Sequence, residues 1–191
     1  YPRAWVVHDV HLVQGDDEAF RYLERHARRR NGAYVVETFD PRRQAVAELG
    51  GNTTDPTLDA LQEGQTGCGA APRDDARIEH YSASSVTLRV DAACTGLLVL
   101  PDTYFPGWKA TVNGRSRTIY PTDGALRGVI VPQGTSHVEL RYAPRVFPLG
   151  IALAAGGLLA FLVVWGASWW RARSRRPVRP TSTALPSVSD P

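Results

Sequence analysis

The chain has 191 residues, with 22 Lys and Arg against 19 Asp and Glu and a formal net charge of +3, enough for one globular domain and further segments. The charge is unevenly placed. Residues 1–145 carry 17 basic against 18 acidic side chains, whereas the tail from Arg171 carries five arginines against Asp190 alone. A domain near −1 with no stripe of interleaved basic and aromatic residues points away from nucleic acid, and the basic excess reads as a topology signal.

Ala4 to Val13 is rich in β-formers and reads as a strand, broken by Gly15 and Asp16. Asp16 or Asp17 can cap a helix running to about Arg30, with acids at its start and arginines at its end. Its narrow apolar face of Phe20, Leu23 and Ala27 suits packing on a sheet. Asn31-Gly32 predicts a turn and Ala33 to Phe39 an extended piece, while 50–77, poor in apolar residues, reads as a surface loop. From Ile78 onward closely spaced strands are expected: Ser85–Val90, Gly96–Leu100, Trp108–Val112, Arg115–Tyr120, Leu126–Val131 and Ser136–Tyr142. Turn residues separate them, and Asn113-Gly114 is the strongest hairpin signal of the chain. This spacing predicts an antiparallel β-sandwich.

Val146 to Trp170 is free of charge, and its 25 residues span about 37 Å as a helix, more than the ~30 Å of a bilayer's hydrocarbon. Trp165, Trp169 and Trp170 suit one membrane interface, and Tyr142 and Phe147 the other. Arg171, Arg173, Arg175, Arg176 and Arg179 follow, which places the tail in the cytoplasm and residues 1–145 outside. Gly150, Ala154 and Gly157, with Gly156 and Ala160, form small-residue faces of the kind that packs against other membrane helices. Outside the cytoplasm, Cys68 and Cys94 are expected to pair as a disulfide. Neither lies in a CxxC or a local Cys/His cluster, so no metal site is expected.

There is no Met, the chain begins Tyr1-Pro2-Arg3, and no signal-peptide pattern precedes the part that must be exported. The expectation is the C-terminal piece of a longer multi-pass protein. Its parts are an N-terminal strand–helix–strand piece (1–49), a flexible loop (50–77), a β-sandwich (78–145), a transmembrane helix (146–170) and a cytoplasmic tail (171–191). The fold class is mainly β, with a small α/β N-terminal part and one C-terminal transmembrane helix.

The run Leu100-Pro-Asp-Thr-Tyr-Phe-Pro-Gly-Trp-Lys-Ala-Thr-Val-Asn-Gly114 resembles a signature of the YfhO-type bacterial membrane protein family. The likeness continues through Leu126-Arg-Gly-Val-Ile-Val-Pro-Gln-Gly134 and His137-Val-Glu-Leu-Arg-Tyr142. Pro2 to His8 and Phe39 to Arg43 also match the family's C-terminal region in order. The resemblance implies a large protein similar to GT-C glycosyltransferases, which take sugars from polyprenyl-phosphate donors at the outer face of a bacterial cytoplasmic membrane. It also implies a link to cell-envelope glycans. In such enzymes the catalytic acid lies near the first membrane helices, so no residue of this chain inherits it.

Asp102, Tyr104, Trp108 and Lys109, the only lysine, are the candidate glycan contacts. A strand-to-strand turn whose aromatics plug the sandwich end is the stronger reading of the same residues. The five histidines are scattered, no GxSxG surrounds a serine, and no catalytic residue or cofactor is expected within the chain. The expected partners are the bilayer, upstream helices of the same protein, and a cell-wall glycan or polyprenyl-linked sugar. A structural or interaction module without enzymatic role is the alternative.

Overall fold

A computed structural model describes residues 3–30, 33–36, 38–50, 55–62, 68, 73–144 and 146–174. Among these residues thirteen strands and three helices follow in chain order. Tyr1–Pro144 forms one compact unit and Arg145–Pro191 a second.

Two sheets, of five and six strands, form the core of the first unit. Alternation of Val86, Leu88 and Val90 with more exposed neighbours makes β7 (Ser85–Ala92) a strand with one inward face. It pairs antiparallel with β6 (Asp75–Tyr81) and with β13 (Gly134–Tyr142). Next to β13 come β9 (Trp108–Val112) and β10 (Arg115–Arg117), giving the five-stranded order β10-β9-β13-β7-β6. The β9–β10 turn carries Asn113 at φ 51 and Gly114 at φ 76, the left-handed pair that a tight hairpin requires.

The other sheet runs β1-β8-β12-β11-β5-β2. Its members are β1 (Trp5–Val7), β8 (Gly96–Leu100), β12 (Leu126–Val131), β11 (Ile119–Thr122), β5 (Gln44–Leu49) and β2 (Asp9–Gln14). Among the described strands only β2 and β5 pair in parallel, and α1 (Asp16–Arg25) follows β2 in the chain. β8 is buried throughout, because both faces of this sheet are covered. Leu98 and Leu100 join Val6, Val129 and Val131 between the two sheets. Leu97 and Val99 point to the opposite face, with Val7, Val10, Ala45, Ala47 and Ile130. That second face is closed by Leu58 and Leu61 of α2 (Pro56–Gln62), each fully buried and contributing about 1.5–3 kcal/mol. Asp55 anchors α2: its carboxylate accepts from Thr57 N at 2.9 Å and from the Tyr120 hydroxyl at 2.5 Å. A Cβ at Gly128 of β12 would lie 2.4 Å from Thr122 Oγ1, so the strand admits only glycine there.

Several expectations change. The single strand Ala4–Val13 is two strands, β1 and β2, at opposite edges of one sheet, with the break at His8. The helix expected to reach Arg30 ends at Arg25, where His26 N donates to Leu23 O and the His26 ring bonds Tyr22 O at 2.8 Å. The backbone then turns into β3 (Ala27–Arg30), paired with β4 (Ala33–Val36); the Asn31-Gly32 turn lies outside the described residues. β5 was not foreseen, and residues 56–62 and 75–77 of the expected loop are α2 and the start of β6. Arg115–Tyr120 divides at Thr118 between β10 and β11, which belong to different sheets. Strands β1, β2 and β5 thus share one sheet with later strands, while β3 and β4 form a small sheet of their own.

The second unit is α3 (Val146–Ser174). Its segment Gly150–Arg171 is long and apolar enough to cross a membrane, and none of it is buried within the structure. Arg171 and Arg173 occupy the last turns, Arg173 over the Trp169 ring at 4.2 Å. Arg175, Arg176 and Arg179 lie outside the described residues.

Candidate functional site

At one end of the sandwich the two sheets meet around Trp108. β9 presents Trp108, Ala110 and Val112 to the interior, and Lys109 to solvent. Lys109 therefore faces away from Trp108, as successive residues of a strand must. Asp102 follows β8, and β12 carries Arg127 opposite Leu100. Arg127 is only 7% exposed, and a guanidinium so placed needs partners. Its Nε donates to Thr103 O at 2.9 Å and its Cζ lies 3.9 Å from the centre of the Trp108 ring. Asp102 Oδ2 is 3.7 Å from Nη1, close enough to pair electrostatically but too far for a hydrogen bond, so Nη1 is sealed without one. Burial draws Arg127 below the usual guanidinium range, and Asp102 and Tyr81 oppose that pull. It remains a cation.

Tyr81, at the end of β6, donates its hydroxyl to Asp102 Oδ1 at 3.0 Å, and Arg3 lies over the Tyr81 ring at 4.7 Å. Tyr81, Ser82, Asp102, Thr103, Trp108 and Arg127 border an open cleft of about 270 Å³. Of the four expected contacts, Asp102 and Trp108 come together. Tyr104 anchors the adjoining loop through its backbone, N to Ala125 O at 2.6 Å, and Lys109 stands on the outer face. Arg127 and Tyr81 complete the cluster and were missed. An arginine inside the apolar run Leu126–Val131 was the available signal. One face of Trp108 is occupied by Arg127, and Tyr142 lies 5.6 Å from its ring centre, which makes Trp108 in part the plug expected of it. Phe105 stands 58% exposed beside Tyr142.

A second cluster lies away from this cleft. Cys68 and Cys94 are bonded through sulfur, their Cα atoms 5.7 Å apart. His8 Nδ1 is 3.1 Å from Cys94 Sγ and 3.0 Å from Thr95 O, and its Nε2 is 2.9 Å from Asp74 Oδ2. One ligand atom from each of His8, Cys68 and Cys94 falls within 4.8 Å of the others. The sequence showed no Cys/His cluster because the three residues are far apart along the chain; the fold builds one at the break between β1 and β2.

Two further carboxylates are buried without full satisfaction. Asp123, at φ 52 in the β11–β12 turn, accepts from Val46 N at 2.7 Å, but its Oδ2 is sealed and unpartnered. Burial pushes its carboxyl up to about 6, the Val46 bond opposing. Glu48 Oε1 is likewise unpartnered, and burial, then Asp16, raises its carboxyl.

Residues 70–154 match the family model described as bacterial membrane protein YfhO. The uncharacterized protein YfhO of Bacillus subtilis (strain 168) is 32% identical over 62 residues, which cover 32% of this chain and 7% of that protein. The matched part is thus a small fraction of the relative's length. No solved structure matches the chain. The family match contains the whole Trp108 cleft, Tyr81, Asp102 and Arg127 included, and residues 70–154 are a YfhO-type bacterial membrane protein region.

Proposed function

We propose that this chain is the extracytoplasmic C-terminal domain and last membrane helix of a multi-pass YfhO-like protein that transfers sugars from polyprenyl-phosphate donors to cell-envelope glycans. The domain holds or caps the acceptor, and the chemistry is done elsewhere in the parent protein. The observation that carries this is the cleft of Trp108, Arg127, Asp102 and Tyr81. It offers an aromatic wall, a buried cation, and a carboxylate and hydroxyl able to exchange hydrogen bonds with sugar hydroxyls. The orientation rests on the arginines after Trp170. Open space around Gly150, Gly156 and Gly157 leaves α3 a face for upstream helices.

The test is glycan transfer by the full-length parent in native membranes. Asp102→Asn and Trp108→Ala raise the acceptor KM severalfold and leave kcat near wild type. The covered face of Trp108 favours a second reading, a structural or interaction module that takes no part in the reaction; under it, Asp102→Asn and Trp108→Ala leave whatever transfer the parent performs unchanged.

A further inference from the structure

We propose that the His8–Cys68–Cys94 cluster, once its disulfide is reduced, is a binding site for one zinc-class divalent ion. His8 Nδ1 and the two sulfurs already converge, their atoms within 4.8 Å of one another. Two thiolates and an imidazole are a ligand set that zinc takes, with a fourth position left open. The imidazole is held as a ligand should be: Asp74 Oδ2 is 2.9 Å from Nε2, the carboxylate–histidine arrangement that presents the other nitrogen to a metal. Ring and carboxylate are nearly enclosed, with side chains 11% and 12% exposed. The ring is also boxed in, since a Cβ at Gly96 would lie 2.8 Å from its Cε1 and Nδ1. The ion sits between Nδ1 and the sulfurs and replaces the Nδ1 contact to Thr95 O.

Opening the site takes two electrons from a dithiol reductant. Its thiolate attacks Sγ of Cys68, the less buried residue of the pair, and Cys94 departs as a thiolate beside His8. The reductant's second thiol resolves the mixed disulfide and leaves as a cyclic disulfide, its two protons passing to the cysteines. Metal binding then releases those protons, and two thiolates neutralise the divalent charge. A pair of negative sulfurs would otherwise be costly in so enclosed a place.

The experiment uses the full chain in nanodiscs and Co²⁺ as the probe. After reduction and removal of reductant, the wild type binds one Co²⁺ with a thiolate-to-cobalt charge-transfer band, and the oxidised chain shows no band. Asp74→Asn weakens binding about 10–100-fold, and His8→Gln weakens it at least tenfold. Circular dichroism of Cys68→Ser/Cys94→Ser shows whether the domain stays folded without the bond. A reduced chain that binds no cobalt, His8→Gln binding as tightly as wild type, or a double variant that is unfolded each overturns the proposal.

Discussion

The six-stranded sheet and α3 draw on the same apolar side chains and dispose of them oppositely. In β8 every residue is buried, Leu97 and Val99 on one face and Leu98 and Leu100 on the other. In α3, Leu158 is 61% exposed and its apolar neighbours are similarly bare. The sheet completes its own burial and also encloses polar groups, Arg127, Glu48 and Asp123, at a cost. Among the described residues α3 buries no apolar side chain, the state of a helix suited to lipid or to other membrane helices.

Truncation separates the two most sharply. Leu98→Ala opens a cavity between the sheets and lowers unfolding stability by about 2–5 kcal/mol, read from the denaturant midpoint of the full chain in detergent. Leu158→Ala leaves that midpoint in place; a shift as large as that of Leu98→Ala would mean α3 has an internal partner. Charge reverses the pattern. Leu158→Arg costs about 2.5–3.5 kcal/mol of membrane insertion, so carbonate washing extracts more protein while the denaturant midpoint of the sandwich holds.

Asp123 gives the smallest effect and the most specific one. Its carboxyl is raised to about 6, so the folded chain holds this proton more tightly than the unfolded chain does. This contribution to stability is greatest below about pH 4, declines as the pH rises to about 6, and is level above that. Asn accepts the same Val46 bond and tolerates the same backbone angle. Asp123→Asn therefore removes the decline and stabilises the protein at pH 7 by on the order of 1–3 kcal/mol. The check is the difference between the two unfolding curves from pH 4 to 8, which cancels Glu48, with a slope of the same sign, and Asp55, whose carboxyl is lowered.

What the sequence disclosed follows the range of the forces involved. Asn113-Gly114 forces its hairpin locally, and Gly96–Leu100, Trp108–Val112 and Leu126–Val131 are strands with the bounds read from their apolar runs. β5 and α2 were not legible. Ala45 and Ala47 are weak strand formers, and Leu58 and Leu61 gain their burial from a sheet face assembled from distant segments. For the cleft, Trp108 and Asp102 stood out locally, whereas Arg127 reaches them only across the β8–β12 pairing. The alternation of β9 was enough to place Lys109 on the other face, and proximity to Trp108 in sequence obscured it. His8 beside Cys94 has no local signal, because the groups that hold its ring, Asp74 and Thr95, are distant in sequence.

Site-directed labelling in cells of the parent protein tests the central claim, a sandwich outside the membrane carried on a helix that crosses it. Cysteine is placed at Ser116 on the exposed β10 hairpin and, separately, at Arg173 in the last turn of α3. Ser116→Cys is expected to react with a membrane-impermeant maleimide in intact cells, and Arg173→Cys only after permeabilisation. Protection of position 116 with labelling of position 173 in intact cells would contradict the account, as would labelling of both without permeabilisation.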